Sequence, residues 1–465
     1  MKKAILLYFF SLLTFQLHAQ IELSPEKFLW FVKNYHPVAQ QANLLKSRGE
    51  NTVLRSKGNF DPYVYALFDN KNFDEKEYFR ILNTGLKVPT WYGIELNAGF
   101  DQNRGMFVNP QNDIPFGGLW YGGLSITLGQ GLFIDNRRAQ LKQAKIYAES
   151  TAAEQQAILN DLFFNAIQKY WQWVEIYNQY KIYEESVSLA SVRFQAVKQS
   201  YVLGDNPAVD TLEAFIQLQS RQLGMLQYEL LFKNTGVELS NFLWFDNNTP
   251  LEVTDSLIPI PYTQIKQEFN YSKDSLLQKI NVLNESHPVL KLYDYSLQSF
   301  EIERKLRMEA LKPTLNINYN FLNEPIGDSY FSGLSTQNYK WGLEFSYPLF
   351  IRKQRGDIKL TEIKIYETQI DRSFKSLEIK NKLLEYVNLL DNLERQITLY
   401  NSAVSNYNQL LEAEKVKFTL GESSLFLINS RETNYIDAQI KFIELLAKQQ
   451  IAGIGVVWAF GEFYN

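Results

Sequence analysis

Apolar positions along this chain repeat with two different periods, and each period occurs in both halves. Within Leu132 to Gly204, the residues Tyr183, Val187, Ala190, Phe194, Val197 and Tyr201 are spaced alternately by four and three. Tyr400, Val404, Tyr407 and Leu411 keep that phase within Leu349 to Gly421. A seam of this spacing makes helices coil around partners. The two spans open on Leu132-Phe133-Ile134 and Leu349-Phe350-Ile351 and close on Leu203-Gly204 and Leu420-Gly421, with no proline between. The offset is 217 at both ends, and Arg138 matches Arg355 as Leu141 matches Ile358. Each span predicts one helix of about 68 residues, which at ~1.5 Å per residue extends roughly 100 Å. A fixed-offset repeat of this kind sets the architecture. Taken alone, the spans also suit an ordinary coiled-coil rod.

The second period is two. In Thr314 to Phe321, Leu315, Ile317, Tyr319 and Phe321 take one face and Asn316, Asn318 and Asn320 the other. In Tyr339 to Leu349, Tyr339, Trp341, Leu343, Phe345 and Tyr347 oppose Lys340, Gly342, Glu344 and Ser346. Trp120, Gly122, Leu124, Ile126 and Leu128 oppose Tyr121, Gly123, Ser125 and Thr127. Tyr92, Ile94, Leu96, Ala98 and Phe100 oppose Glu95 and Asn97. Such alternation predicts strands with one apolar and one polar face. Pro62 to Phe68 is a less regular strand, and Pro325, Gly327, Asp328, Ser329 and Gly333 mark a loop. The first half carries 34 more residues than the second between its His-Pro pair and its long helix, as an added hairpin or an exposed loop.

Shorter helices flank these elements. Ser24 and Pro25 suit a helix start, the helix breaks at His36-Pro37, and it resumes to about Lys57. His287-Pro288 leads a counterpart to about Leu311. Two isolated histidines before prolines read as helix-start punctuation rather than ligands. A return helix follows each long helix. Asn206 and Pro207 begin the first, which runs to near Trp244. Ser423 or Ser424 begins the second, which reaches Trp458. The domain plan is a signal peptide over 1–19, a first repeat over 20–244, a connector over 245–286 with Pro250, Pro259 and Pro261, and a second repeat over 287–465.

Composition narrows this further. Met1-Lys2-Lys3, an apolar run to Leu17, and Leu17-His18-Ala19 form a secretory signal, cleaved after Ala19. No later stretch has 18 consecutive apolar residues, so a place in a membrane requires a β-barrel. Among 465 residues there is no cysteine, which excludes disulfides, thiolate metal sites and a cysteine nucleophile. Loss of Lys2 and Lys3 takes the basic count from 47 to 45 against 51 acids, a net charge of −6 that argues against nucleic acid as a partner. Aromatics make up 15%, which fits a lipid-facing part. There is no phosphate loop, metal-spaced histidine set or nucleophile elbow, so no catalytic, metal or cofactor site is expected. Two to four strands per half cannot close a barrel at the usual counts. Identical chains in a ring supply closure, with the long helices continuing as a coiled-coil tube.

The paired His-Pro sites, the Leu-Phe-Ile junctions, the Leu-Gly turns and the segment Gly204-Asp205-Asn206-Pro207-Ala208-Val209-Asp210-Thr211-Leu212-Glu213-Ala214 resemble the TolC-like outer membrane efflux protein family over nearly the whole chain after the signal. The resemblance implies a mainly α fold with a membrane β-barrel and two repeats of strands plus very long coiled-coil helices. It implies a homotrimer with a 12-stranded barrel in outer-membrane lipid and a helical tunnel through the periplasm. It further implies partnership with a periplasmic adaptor and an inner-membrane pump, and a passive export function without enzyme activity. The longer first strand region departs from that pattern. An outer channel for type I protein secretion shares the fold. A secreted coiled-coil structural or adaptor protein is the reading from another class.

The resemblance points to carboxylates six and nine residues past a turn glycine as a gate. After Gly204 these are Asp210 and Glu213, on one helix face; after Gly421 they are Leu427 and Ser430. Three copies would make acidic rings that favour cations, although acids also suit a solvated helix start. Leu203, Gly204, Asp205 and Pro207, with Leu420, Gly421 and Glu422, form the tips expected to dock an adaptor. Leu315, Ile317, Tyr319, Phe321, Trp341, Leu343 and Phe345 are expected to face lipid, with Trp91, Trp120, Tyr339 and Trp341 as an interfacial girdle.

Overall fold

The structure is a computed structural model that describes residues 21–205, 207–254, 256–264, 283–324 and 335–463. The expected signal peptide, the Asn206 cap, the loop at 325–333 and connector residues 265–282 lie outside the described residues. The helices are α1 (Pro25–Tyr35), α2 (Pro37–Asn43), α3 (Leu45–Lys57), α4 (Asn136–Leu203), α5 (Ala208–Ser240), α6 (Leu283–Ser286), α7 (Pro288–Glu309), α8 (Arg352–Thr419) and α9 (Leu425–Phe460). The strands are β1 (Ile21–Leu23), β2 (Tyr63–Phe73), β3 (Lys76–Pro89), β4 (Ile94–Arg104), β5 (Leu119–Gly129), β6 (Trp244–Phe245), β7 (Thr249–Pro250), β8 (Leu257–Pro259), β9 (Thr314–Asn323) and β10 (Tyr339–Ser346).

The two long helices each run 68 residues without a break. They start just after the Leu-Phe-Ile junctions rather than at them. At the first junction Asp135 caps the helix by accepting from the Arg138 amide at 2.8 Å, and the Arg138 guanidinium closes on the Gly131 and Leu132 carbonyls. The return helices differ from expectation in detail. Helix α5 ends at Ser240, because the chain turns at Asn241 to pair β6 with β7. Ser424 is the cap of α9, while Ser423 bonds Glu414 instead.

The histidines act as punctuation. His36 Nδ1 accepts the Val38 amide at 3.2 Å and His287 Nδ1 the Val289 amide at 3.3 Å, each satisfying one orphan donor of a helix start. Burial, then the Lys375 charge, lowers His287 to about 4, so it stays the neutral acceptor that this role needs.

The chain forms two compact units, each drawn from both halves. One comprises Met1–Ala42, Ile158–Asn281 and Ile379–Asn465; the other comprises Asn43–Ala157 and Val282–Glu378. In the first unit, the core gathers Phe28 and Val32 of α1, Ala39 of α2, Leu239 of α5, and Leu159, Ile167, Tyr170, Trp173 and Val174 of α4. Tyr170 stacks on Phe28 and donates to the Leu23 carbonyl at 2.6 Å, anchoring β1, which pairs in parallel with β8. Two glycines admit close approach: Gly224 of α5 lies against the Tyr183 ring of α4, and Gly455 of α9 against the Tyr386 ring of α8. Among the described residues one helix, α9, is long and apolar enough to cross a membrane. Its apolar window is 61% buried in the protein, which fits a core helix.

The second unit holds a six-stranded antiparallel sheet in the order β10-β9-β5-β4-β3-β2. Four strands come from the first half and two from the second. The expected strands are present, β10 ending at Ser346 ahead of Pro348. Strand β3 is the element that alternation did not predict. It accounts for most of the 34 extra residues by forming a hairpin with β2. The sheet therefore has six strands, not the four per chain that a 12-stranded trimer takes. In the same unit, α3 packs on α4 through Gly49, where a Cβ would stand 2.9 Å from the Ala148 Cα. The buried Glu309 carboxylate accepts from the Phe133 amide at 3.3 Å and pairs with Lys312 at 2.7 Å.

Candidate functional site

The two turns between long and return helices are built alike. Gly204 has φ +85° and Gly421 φ +80°, the left-handed region where a Cβ is strained. In the first turn the Gly204 amide donates to Tyr201 at 3.0 Å and the Asp205 amide to Ser200 at 2.9 Å. In the second, the Gly421 amide donates to Phe418 at 3.0 Å and the Glu422 amide to Lys417 at 2.9 Å. The repeat thus reproduces the same helix stop twice. Val197, Ala214 and Leu425 pack together beneath the turns with Phe194 and Phe418. The tip residues Leu203, Asp205, Pro207, Leu420 and Glu422 are all exposed, as are Val202, Val209 and Phe426.

Asp210 and Glu213 lie in the first turns of α5, both half-buried. They differ in surroundings. Glu213 accepts from the Asn429 side chain of α9 at 3.0 Å. Asn429 also accepts from Arg193 of α4 at 3.1 Å, and Arg193 holds Glu432 by two bonds, at 2.7 and 2.9 Å. Glu432 and Asn429 are almost fully buried, so this forked pair is well shielded and geometrically specific. One layer below, the buried Arg221 donates to Thr433 at 2.7 Å. Glu414 accepts from Ser423 at 2.6 Å and approaches Arg431 at 3.5 Å. The Ser423 hydroxyl, then Arg431, holds the Glu414 carboxyl below the usual range. Of the two acids predicted from sequence, Glu213 therefore sits beside a polar clamp that sequence did not reveal.

A third group lies along the same helices. Glu175 of α4 accepts from Gln179 at 3.4 Å, near Glu444, which pairs with Lys441 at 2.9 Å and Lys448 at 2.5 Å. Burial, then the Glu444 charge, pushes the Glu175 carboxyl up to about 7.

In the sheet unit, registers separate two faces. Phe345, Leu343, Trp341 and Tyr339 stand opposite Leu315, Ile317, Tyr319 and Phe321, which in turn stand opposite Leu128, Ile126, Leu124 and Gly122. All seven residues predicted to meet lipid thus share one face. Trp120 and Phe100 pack on that face with ring centroids 4.9 Å apart. Trp91 sits exposed in the turn after β3, stacked on Phe60 at 4.1 Å. A depression on the sheet, about 1120 Å³, has small Thr84, Ala98 and Gly122 between Phe100, Trp120 and Phe321. Among the described residues no group of histidines and carboxylates is placed to hold a metal ion.

The raised Glu175 carboxyl sets a pH dependence. The folded state keeps this proton while the unfolded chain releases it near 4.5, so stability falls as pH rises from about 4.5 to about 7. The slope from one group is at most about 1.4 kcal/mol per pH unit. Thermal unfolding of the detergent-solubilised protein across this window should show the decline, and Glu175→Gln should flatten it.

Comparison with known proteins follows the same lines. Residues 118–243 match the family model described as outer membrane efflux protein. No curated protein sequence matches the chain. The fold resembles the outer membrane protein VceC of Vibrio cholerae with TM-score 0.67 at 12% identity, covering 94% of this chain and 96% of that one. It resembles the CmeC outer membrane channel of Campylobacter jejuni with TM-score 0.66 at 13% identity, covering 94% and 85%. The open state of the MtrE outer membrane channel of Neisseria gonorrhoeae gives 0.64 at 11%, covering 94% and 88%. Residues 118–243 thus match the outer membrane efflux protein family, and the chain as a whole has the fold of these outer membrane channels.

Proposed function

We propose that three copies of this chain form a passive duct in the outer membrane, extending into the periplasm, through which a tripartite pump exports its substrates. The observation that carries this reading is the six-stranded sheet with one apolar face and two open edges, β2 and β10. Lipid cannot satisfy the free N–H and C=O groups of an edge, so such a sheet is stable in a bilayer only when closed. A ring of identical chains closes it. A secreted coiled-coil protein would have no use for a sheet with a face of this kind. The chain carries no sequence signature of a nucleotide site, so the driving force belongs to a partner pump.

The exposed Val202, Leu203, Leu420 and Phe426 at the paired tips suit docking of a periplasmic adaptor, since apolar groups clustered at a rigid turn favour a protein partner. Asp210 and Glu213 would ring the axis at that end. Up to six carboxylates then converge, repelling by about 1–2 kcal/mol per close pair, and the Arg193–Glu432–Asn429 clamp beside Glu213 would hold the helices against that repulsion.

Two outcomes are expected. Arg in place of Ile317 should cost ~2–4 kcal/mol near the bilayer midplane, and Arg in place of Asn318 much less. Folding titrations into lipid vesicles measure this, and equal costs would argue against a lipid-facing strand. Replacing Asp210 and Glu213 together by Ala should lower cation selectivity and weaken block by a trivalent cation in planar bilayers while trimers still assemble. Unchanged selectivity and block would leave these acids as a solvated helix start.

A further inference from the structure

Resting on the trimeric reading above, we infer that the β2–β3 hairpin is barrel wall, that β10 of one copy pairs with β2 of the next, and that three copies close an eighteen-stranded barrel. The duct at membrane level is then about half as wide again as a twelve-stranded one, because barrel diameter grows nearly in proportion to strand number. It accepts correspondingly bulkier solutes, and the wall does not limit passage as a twelve-stranded barrel would.

The hairpin has the dimensions of a spanning element. Strand β2 has 11 residues and β3 has 14, against 11 each in β4 and β5, and a tilted spanning strand needs about 9–11. It starts after Phe60 and returns to the Thr90–Gly93 turn, where Trp91 stacks on that same Phe60 at 4.1 Å. At its far end it reverses through Asp74 and Glu75, both at positive φ. It therefore crosses the sheet from the helix side to the far side and back.

Over the helix-side half of β3, from Leu82 to Val88, its two faces continue those of the sheet; toward the Asp74-Glu75 turn, Phe79, Arg80 and Ile81 break the alternation. One apolar row reads Val88, Leu96, Leu124, Tyr319 and Trp341 from β3 to β10, and the next reads Val64, Leu86, Ala98, Gly122, Phe321 and Tyr339 across all six strands. Between them on the other face run Lys87, Asn97, Gly123, Asn320 and Lys340. A hairpin lying outside the wall would have no reason to keep this alternation in phase with β4.

Side chains tie the hairpin in as well. Tyr65, Gly85, Gly99 and Tyr121 form one row across β2, β3, β4 and β5. The two rings lie over the two glycines and their hydroxyls hydrogen-bond. A Cβ on Gly85 would stand 2.8 Å from the Tyr65 hydroxyl oxygen. In the neighbouring row Asn83 bonds Asp101.

The edges decide the closure. A twelve-stranded barrel would use β4 as the seam, but the free side of β4 is taken by β3 over ten residue pairs, from Arg80 with Arg104 to Pro89 with Glu95. Among the described residues, strands β2 and β10 are the open edges. With six antiparallel strands they run in opposite directions, so β10 meets the β2 of a second copy antiparallel and the ring closes without a parallel seam.

The chain has no cysteine, so introduced pairs report without background. Lys340→Cys on β10 is combined with Tyr63→Cys or Leu67→Cys on β2, or with Glu95→Cys or Asn97→Cys on β4, in protein purified in detergent. Oxidation should join β10 to β2 between chains and yield a covalent trimer on a non-reducing gel. Links from β10 to β4 in a trimer overturn the eighteen-stranded barrel and leave the export duct standing. Absence of every link in a monomeric protein overturns both. The unmodified channel in a planar bilayer supplies a second readout. Graded polyethylene glycols added on the sheet side should enter at sizes that a twelve-stranded duct run alongside excludes, and equal cut-offs count against the proposal.

Discussion

A strand edge carries free N–H and C=O groups, and in hydrocarbon these have nothing to bond. That constraint governs the rest of this molecule. The sheet is apolar on one face from Val64 of β2 to Tyr339 of β10, yet among the described residues its two outer strands are unpaired. A single chain thus leaves these edges unmet in a bilayer, which is the ground for the proposed ring of copies. The repeat then has a physical purpose. Both halves supply strands to one sheet, and both pass from the sheet into a helix of 68 residues.

The helical unit solves a different problem. Very long helices need lateral partners, since helices of this length are stabilised mainly by packing an apolar face. Tyr183 against Gly224 and Tyr386 against Gly455 bring each long helix close to its return helix. At the tips, where packing thins to Val197, Ala214 and Leu425, polar contacts take over. The Arg193–Glu432 fork and the Asn429 bond to Glu213 connect α4, α5 and α9. The clamp couples the position of these three helices to the charge of Glu213.

Much of this was legible because local rules and tertiary structure agree. The heptad seam, the absence of proline and the Leu-Gly stops located both long helices to within a few residues. Alternation located β4, β5, β9 and β10. It failed at β3, where Phe79 and Ile81 fall on the otherwise polar face and Arg80 on the apolar one, and where the turn at Asp74-Glu75 lacks the Asn-Gly signature of a tight hairpin. The acids Asp210 and Glu213 were visible as residues of one helix face. Their neighbours were not, because Arg193 and Glu432 lie 239 positions apart and meet only through helix packing.

Closure by copies of the same chain is what the proposed duct requires above all. The mass of the protein in detergent, by native mass spectrometry or light scattering with the detergent share subtracted, measures this directly. Three chains per particle is the expected result, at any concentration that keeps the protein folded. A stable, folded single chain would mean that the sheet edges are satisfied some other way, and the duct would have to be abandoned.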